Sequence, residues 1–333
     1  NTSGTVTLTS ITDTVSNVTA VRHNANISIA SAAVTVTDAA TRTNAIIMNG
    51  FTTDQVTLNV VEDKFTNINN LDFLIDVGML DVSFASAAVT VTDAVTKANA
   101  DTLNGFTTGQ VTLESVEDTN ANILLIDGLT TSEVTMAAAA VKVTDKVNNA
   151  EVDTLDGKTT GKLTVDILED TFAEVSALDA LNDSDVDISA AAITVTSVVS
   201  KANADTLNGF TGGLVTLKSV QDTNANVVLI DAMTDSEVLM NTAVVTVTDA
   251  VSKAQAVTLN GFTNAKVTLN SVEDNYANIQ LIKDINTAEV DMDAAAVKVS
   301  DNVTKTEVDD LRTDTTGDIT LTSITEDKTD LAT

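Results

Sequence analysis

The chain lacks several residue types, and each absence excludes a class of structure or site. Its 333 residues include no cysteine, proline or tryptophan and only one histidine. Without cysteine there are no disulfides and no thiolate metal sites. Aromatic residues make up only 3% of the chain, so a core must be built from Val, Ile, Leu and Ala. No apolar run reaches the length of a membrane span.

Positive charge is also scarce. The 17 basic residues are outnumbered by 48 acidic ones, which gives a net charge of −31. Such a charge opposes binding to nucleic acid or insertion into an anionic membrane, and no basic patch with aromatic residues is present. The hydrophobic content of 43% is too high for a disordered acidic chain. The composition therefore indicates a folded, acidic protein.

What the chain does have is internal repetition. Residues 100–127 read ADTLNGFTTGQVTLESVEDTNANILLID and residues 204–231 read ADTLNGFTGGLVTLKSVQDTNANVVLID, with 22 of 28 positions identical. A Val-Thr-Val type of triplet recurs with a first spacing of 55 residues and then of 52; it begins at Val34, Val89, Val141, Ile193, Val245 and Val297. A fixed period of this size predicts a repeat architecture.

The first half of a repeat predicts a strand followed by a helix. Val89–Thr92 alternates apolar and polar residues, as a half-buried strand does. The next residues, DAVTKANADTLNGF, have helical spacing of apolar positions, and Thr92 or Asp93 is suited to cap the helix. Glycine commonly ends a helix in a left-handed conformation, so we expect a positive φ at Gly105, Gly209 and Gly261.

The second half predicts another strand and helix, followed by a third strand and a corner. Val111–Leu113 forms the strand, and Glu117 and Asp118 begin the helix. The alternation then changes parity between Val134–Met136 and Val141. A change of parity requires a corner or a bulge, which we place near Ala137.

Together these elements predict an α/β repeat solenoid, made of stacked units of about 52 residues with short parallel strands and short helices. The alternative is a β-solenoid with helical corners. We expect one continuous solenoid of about six repeats over residues 1–333, with layers near 1–33, 34–88, 89–140, 141–192, 193–244, 245–296 and 297–333. Val111, Leu163, Val215 and Val267 are then expected to stack as equivalent positions of adjacent layers.

The two ends of the chain have nearly the same sequence. Val6–Thr12 reads VTLTSIT and Ile319–Thr325 reads ITLTSIT, in the same phase of the repeat. An unpaired strand edge exposes backbone donors and acceptors, whose natural partner is another layer of the same kind. We therefore expect the partner to be the chain itself, end to end through these segments or by covalent continuation in a longer repeat protein. Salt, divalent cations or mild acid should promote such association.

Acidic residues recur once per repeat at two positions. One set is Asp118, Asp170, Asp222 and Asp274; the other is Asp93, Asp145, Asp249 and Asp301, with Ser197 in the remaining place. Calcium bound between layers is one interpretation, and repeated helix capping is the other. Ser197 caps a helix well but is a poor calcium ligand, and no known calcium-loop motif is present. We favour capping and expect no cofactor, with bound calcium as the alternative.

Other candidate sites have simpler interpretations. Threonine pairs such as Thr90 and Thr92 resemble an ice-binding array, but threonine also suits an exposed strand face, and Lys142 and Lys298 interrupt the array. His23 has no neighbouring carboxylate pair or nucleophile in sequence. The Asn-X-Ser/Thr triplets could accept glycans in a secreted protein, but chance matches are expected in a chain so rich in Asn, Ser and Thr; they begin at Asn1, Asn17, Asn26, Asn182 and Asn302. We expect no catalytic residues and no enzyme.

The combination of VTVTDA, LNGFTTGQVTL and VEDTNANILLID resembles repeats of very long, acidic surface proteins of bacteria, including marine and cyanobacterial ones. The likeness covers nearly the whole chain. It implies a secreted structural or adhesive role at the cell surface, and it identifies no site.

The expected function is that of a structural extracellular protein, which forms a rigid rod, filament, sheath or surface-layer element by stacking layer on layer. A calcium-dependent adhesin stalk is the alternative. A glycan-binding or glycan-cleaving solenoid is less favoured, because Tyr276 and eight phenylalanines do not supply an aromatic-lined groove. Ice binding is less favoured for the reason given above.

Overall fold

The computed structural model describes residues 4–129, 133–181, 185–233, 237–285 and 289–325. Parallel strands alternate with short helices throughout these ranges, which confirms the α/β repeat fold. Each repeat contains an A strand, an A helix, a B strand, a B helix and a two-residue C strand, in that order. The A coil is the A strand, the A helix and the loop after it; the B coil is the B strand, the B helix, the C strand and the corner that follows.

The strands recur at matching places. The A strands are Ala33–Ala40, Ala88–Val95, Ala140–Val147, Ala192–Val199, Val244–Val251 and Ala296–Val303. The B strands are Val56–Asp63, Val111–Asp118, Leu163–Asp170, Val215–Asp222, Val267–Asp274 and Ile319–Ile324, preceded by a divided one, Val6–Thr7 and Ser10–Asp13. The C strands are Ile27–Ser28, Val82–Ser83, Val134–Thr135, Val186–Asp187, Val238–Leu239 and Val290–Asp291.

The helices follow the same order. The A helices are Arg42–Asn49, Lys97–Phe106, Asn149–Asp156, Lys201–Phe210, Lys253–Asn260 and Lys305–Asp314. The B helices are Val15–Arg22, Phe65–Asp76, Asn120–Asp127, Phe172–Leu181, Asn224–Asp231 and Tyr276–Lys283.

The chain divides into two compact units, Asn1–Asp166 with Ser184–Asp187, and Ile167–Asp183 with Ile188–Thr333. In the first, Val111 pairs with Val89 of the preceding A strand and with Val134 of the following C strand, and Val116 pairs with Val141 of the next A strand.

The second unit repeats this register. Val267 pairs with Val245 and Val290, and Val272 pairs with Val297. A 52-residue repeat therefore contributes two long strands to the sheet. The prediction that Val215 and Val267 stack in adjacent layers was wrong, because the A strand Val244–Val251 lies between their strands.

A bulge in the A strand Ala88–Val95, which recurs in four other A strands, sets the direction of the side chain at the aspartate position. Val91 pairs with Leu113 and Ala94 with Ser115, so the A strand has one residue more than its B neighbour over this stretch. The buried residues Val89, Val91 and Val95 stay on the core side. Asp93 lies within the bulge, and bulges commonly re-aim a side chain in this way. The predicted corner is also present, as a turn that begins at Ala137.

The core consists of the small and branched apolar residues that the composition predicts. Each helix contributes buried side chains at the fourth and seventh positions after its cap, such as Ala100 and Leu103 in one A helix and Ile123 and Ile126 in the next B helix. These side chains pack with the buried side chains of the A strands and B strands. Leucine and isoleucine give most of their stabilisation through burial, at about 25 cal/mol for each Å² removed from water.

The predicted helix ends need correction. The A helix Lys97–Phe106 is capped by Thr96, which accepts a hydrogen bond from the N–H of Asn99, and not by Thr92 or Asp93. Thr119, not Glu117 or Asp118, caps the following B helix. Gly105 and Gly209 lie inside helices, and Gly261 has a φ of −78°. The positive φ predicted for these three glycines is therefore wrong, since the helix continues through the first two without a turn.

Candidate functional site

The aspartate of each A strand caps a helix in the preceding coil. The Asp93 Oδ1 atom accepts the backbone N–H of Phe65, the first residue of the previous B helix, at 2.7 Å. First-turn N–H groups have no partner within their own helix, so a side chain from the next coil satisfies a donor that would otherwise face water. The same bond joins Asp38 to Val15, Asp145 to Asn120, Ser197 to Phe172, Asp249 to Asn224 and Asp301 to Tyr276, at 2.6–2.9 Å.

The aspartates of four B strands do the same for the preceding A helix. The Asp118 Oδ2 atom accepts the N–H of Lys97 at 2.8 Å. Its Oδ1 atom accepts the N–H of Thr119 and the side-chain amide of Asn122, both at 2.8 Å. The bond to the preceding A helix recurs from Arg42 to Asp63, Lys201 to Asp222 and Lys253 to Asp274. We call the two sets together the capping ladder.

The DTNAN segment of the repeat follows from this geometry. Thr119 caps the helix by accepting the N–H of Asn122, and the amide of Asn122 returns to the carboxylate of Asp118. Burial alone would raise the pKa of Asp118, but the hydrogen bonds from Asn122, Lys97 and Thr119 outweigh it and lower that pKa. The pKa values of Asp222 and Asp274 are lowered by the corresponding donors against the same effect of burial.

These bonds bear on the calcium interpretation of Asp118, Asp170, Asp222 and Asp274. Both carboxylate oxygens of Asp118 already accept N–H donors, and so do both oxygens of Asp222. A cation would have to displace those donors. Within the described residues, no group of three or more His, Cys, Asp or Glu side chains is arranged to hold a metal ion. In this structure the carboxylates of the capping ladder accept backbone N–H groups at the helix starts of the preceding coil.

The threonine pairs lie on the solvent side of the sheet. Thr90 pairs with Thr112 and Thr246 with Thr268, in register across A and B strands. Lys142 interrupts this face with an ion pair to Glu117 at 3.1 Å and another to Asp166 at 3.2 Å, and these two neighbours raise its pKa. Lys298 pairs with Glu273 in the same way. Charged pairs therefore divide the threonine array.

The remaining candidates lie apart from the ladder. His23 is exposed and contacts Phe51 edge to face, with ring centroids 6.4 Å apart, beside an open groove that Arg22 also lines. Asn17 donates its side-chain amide to Asp13. Asn26 and Asn302 are exposed, whereas Asn1 and Asn182 lie outside the described residues.

The sequence pattern predicted capping but not its direction. Each aspartate was expected to cap the helix that follows it, whereas the A-strand aspartates bond backward, across 23–28 residues, and the B-strand ones bond in both directions. A signal was available in the spacing. From Asn120 to Tyr276, each A-strand acceptor lies 25 residues after the first residue of the preceding B helix.

Comparisons of the chain with protein-family models, with curated proteins and with solved structures return no match. Among the described helices, none is both long and apolar enough to cross a membrane. The function must therefore be argued from the geometry of the repeats.

Proposed function

We propose that the chain is a structural protein of the extracellular space or cell surface, a rod, filament, sheath or surface-layer element that grows by stacking coil on coil. The observation that carries this proposal is the capping ladder. Each coil forms sheet hydrogen bonds with the preceding one and also caps its helix, so the repeat is complete only when another coil follows it. Repeat proteins gain their stability from such nearest-neighbour contacts.

The composition supports the same role. A strongly acidic surface keeps a long repetitive protein soluble and discourages unspecific association. Many of the side-chain hydrogen bonds among the described residues join one coil to another, as the bonds of Asp93 and Asp118 do. The resemblance to bacterial surface repeats favours placing this scaffold outside the cell.

The edges of the sheet suggest which segment continues the stack. Ile324 is 46% exposed and Val6 is 43% exposed, and both lie on B strands. Among the described strand pairings, B strands pair with A and C strands and not with each other. Direct pairing of Val6–Thr12 with Ile319–Thr325 would place two B strands side by side. End-to-end assembly of two copies would therefore use a strand pairing that the described repeats do not contain, whereas continuation within a longer chain would supply an A strand with its preceding C strand.

The experiment that tests the proposal is light scattering with negative-stain imaging of the purified chain across a salt series, with and without calcium. Salt shortens the screening length to roughly 4 Å at seawater ionic strength, so repulsion between acidic copies weakens. We expect end-to-end assemblies to appear as salt rises. A monodisperse monomer at every salt concentration would contradict self-association and leave only continuation within a longer chain.

A matched pair of variants locates the contact. Ile324→Lys places a charge on the exposed edge strand, whereas Ile46→Lys places one on an exposed helix face of similar exposure. We expect the first variant to abolish assembly and the second to leave it unchanged. Equal effects of both variants would mean that the edge strand is not the contact.

A further inference from the structure

One contact between coils recurs at equivalent positions of several repeats but changes its chemistry. The first residue of this contact is the eighth after the cap of a B helix. The second residue immediately precedes the threonine in the loop that follows the next A helix. We call these two residues the junction pair. The six junction pairs are Arg22 with Phe51, Asp72 with Phe106, Asp127 with Lys158, Asp179 with Phe210, Asp231 with Phe262, and Lys283 with Asp314.

The structure brings the two members of four of these pairs together. The guanidinium carbon of Arg22 lies 5.8 Å from the centre of the Phe51 ring. Asp72 and Phe106 line the same groove. In the third pair, the Lys158 Nζ atom lies 2.8 Å from the Asp127 Oδ2 atom.

The last pair reverses the charges of the third. Lys283 forms an ion pair with Asp314, whose side chain is only 2% exposed. Gln280 also donates to the Asp314 carboxylate at 2.7 Å. The buried Asp314 carboxylate is compensated by the half-exposed Lys283 ammonium, since a buried charge without a partner is unfavourable. An aspartate in the place of Lys283 would leave Asp314 facing a like charge.

The six pairs follow one rule. Phenylalanine lies opposite either sign, since an aromatic ring attracts cations at its face and anions at its edge. Where both members are charged, the charges are opposite. Much of the remaining coil interface is the same in the most similar repeats, as residues 100–127 and 204–231 show, although a few ion pairs on the sheet, such as Lys142 with Glu117, also vary.

We propose that the junction pair is a specificity determinant of coil stacking, a contact that helps to decide which B coil a given A coil accepts. The A coil that ends at Asp314 selects a B coil with a cation at the junction, as in Lys283, and rejects those with Asp72, Asp127, Asp179 or Asp231. The same selection applies to a coil of a second copy. This inference rests on the fold and not on the proposed extracellular role.

The test places both signs at two junctions of opposite character. Phe106 lines the same groove as Asp72, so Phe106→Lys should have a melting temperature about 1–3 °C above that of Phe106→Asp. Phe51 faces Arg22, so the order should invert, with Phe51→Asp above Phe51→Lys by a similar amount. Each comparison removes the same ring, so the loss of packing cancels within it.

The inversion separates the proposal from a general effect of charge. In a chain of net charge −31, relief of overall repulsion would favour lysine at both positions. Any pattern other than the inversion overturns the proposal. If the phenylalanine variants fail to fold, Lys158→Asp is compared with the double variant Asp127→Lys and Lys158→Asp. We expect the double variant to recover at least half of the lost melting temperature, and no recovery would overturn the proposal.

Discussion

The Asp118 carboxylate accepts the backbone N–H of Lys97 at 2.8 Å, across 21 residues and from one coil to the preceding one. This bond is at once a helix cap and a contact between coils. Helix capping is normally local, made by a residue adjacent to the helix that it caps. Here the residue is supplied by the neighbouring strand, so the stability of each helix depends on the coil that stacks on it.

Replacement of Asp145 tests the energy of one such bond. Asp145→Ala removes the acceptor for the N–H of Asn120, and we expect the free energy of unfolding to fall by about 1 kcal/mol. Asp145→Ser should cost less, because Ser197 performs this function at 2.9 Å in the next repeat. Urea unfolding measures both variants. Equal losses for serine and alanine would show that the hydroxyl cannot replace the carboxylate here.

Acid should unfold the protein through the B-strand aspartates. The pKa values of Asp118, Asp222 and Asp274 are lowered in the folded chain, because the N–H donors that surround these carboxylates outweigh the opposing effect of burial. Their contribution is therefore present above the unfolded pKa of about 3.9 and is lost as the pH falls through the lower folded value. Unfolding free energies measured from pH 6 to pH 2 should decline below about pH 4. A profile for Asp118→Asn that declines as steeply as the parent would argue against this aspartate as a contributor.

Replacement by alanine should have opposite effects on stability at two glycines of one repeat. Gly209 is helical with open space around it, so Gly209→Ala should stabilise the chain by about 0.5–1 kcal/mol. An added Cβ at Gly213 would lie 2.3 Å from the carbonyl oxygen of Ala191, so Gly213→Ala should destabilise it by about 1–3 kcal/mol. Thermal unfolding compares the two, and a cost at Gly209 would be the contrary result.

The loop threonines offer a test of buried hydrogen bonding. Thr211 donates its hydroxyl to the carbonyl of Ala191 at 2.7 Å and accepts the N–H of Gly213 at 2.8 Å. Thr211→Val preserves the shape and removes both bonds, which should cost about 1–3 kcal/mol. Thr206, on the exposed side of the adjacent helix, is the control, and Thr206→Ala should change stability by less than about 0.5 kcal/mol. Similar losses at both positions would contradict the role assigned to Thr211.

Local sequence rules predicted the order of elements, because the period-two and helical patterns within a repeat are strong. The corner at Ala137 was predicted from a change of parity alone. The same rules failed at Asp93, which looks like a helix cap but lies on a bulged strand. A TVTDA segment allows either structure, and the hydrogen bond to Phe65 that decides between them comes from another coil.

The positive φ predicted for the glycines was wrong for a related reason. Asn104-Gly105 is a common helix ending, but the helix continues to Phe106, which packs edge to face with Phe84 at 6.4 Å. Tertiary packing therefore overrides the local preference of glycine. The junction pairs were also missed, although Lys158 with Asp127 and Asp314 with Lys283 are 31 residues apart with reversed charges. A comparison of charge at matching positions of the repeats would have found them.

Amide hydrogen exchange resolved by NMR tests the central claim, that each coil caps the helix of its neighbour, most directly. First-turn N–H groups normally exchange fast because they lack partners in their own helix. We predict that the N–H groups of Phe65 and Asn120 are protected, and that Asp145→Ala accelerates exchange at Asn120 while Phe65, which Asp93 caps, is unchanged. Fast exchange at both sites in the parent, or no effect of the variant on Asn120, would contradict the claim.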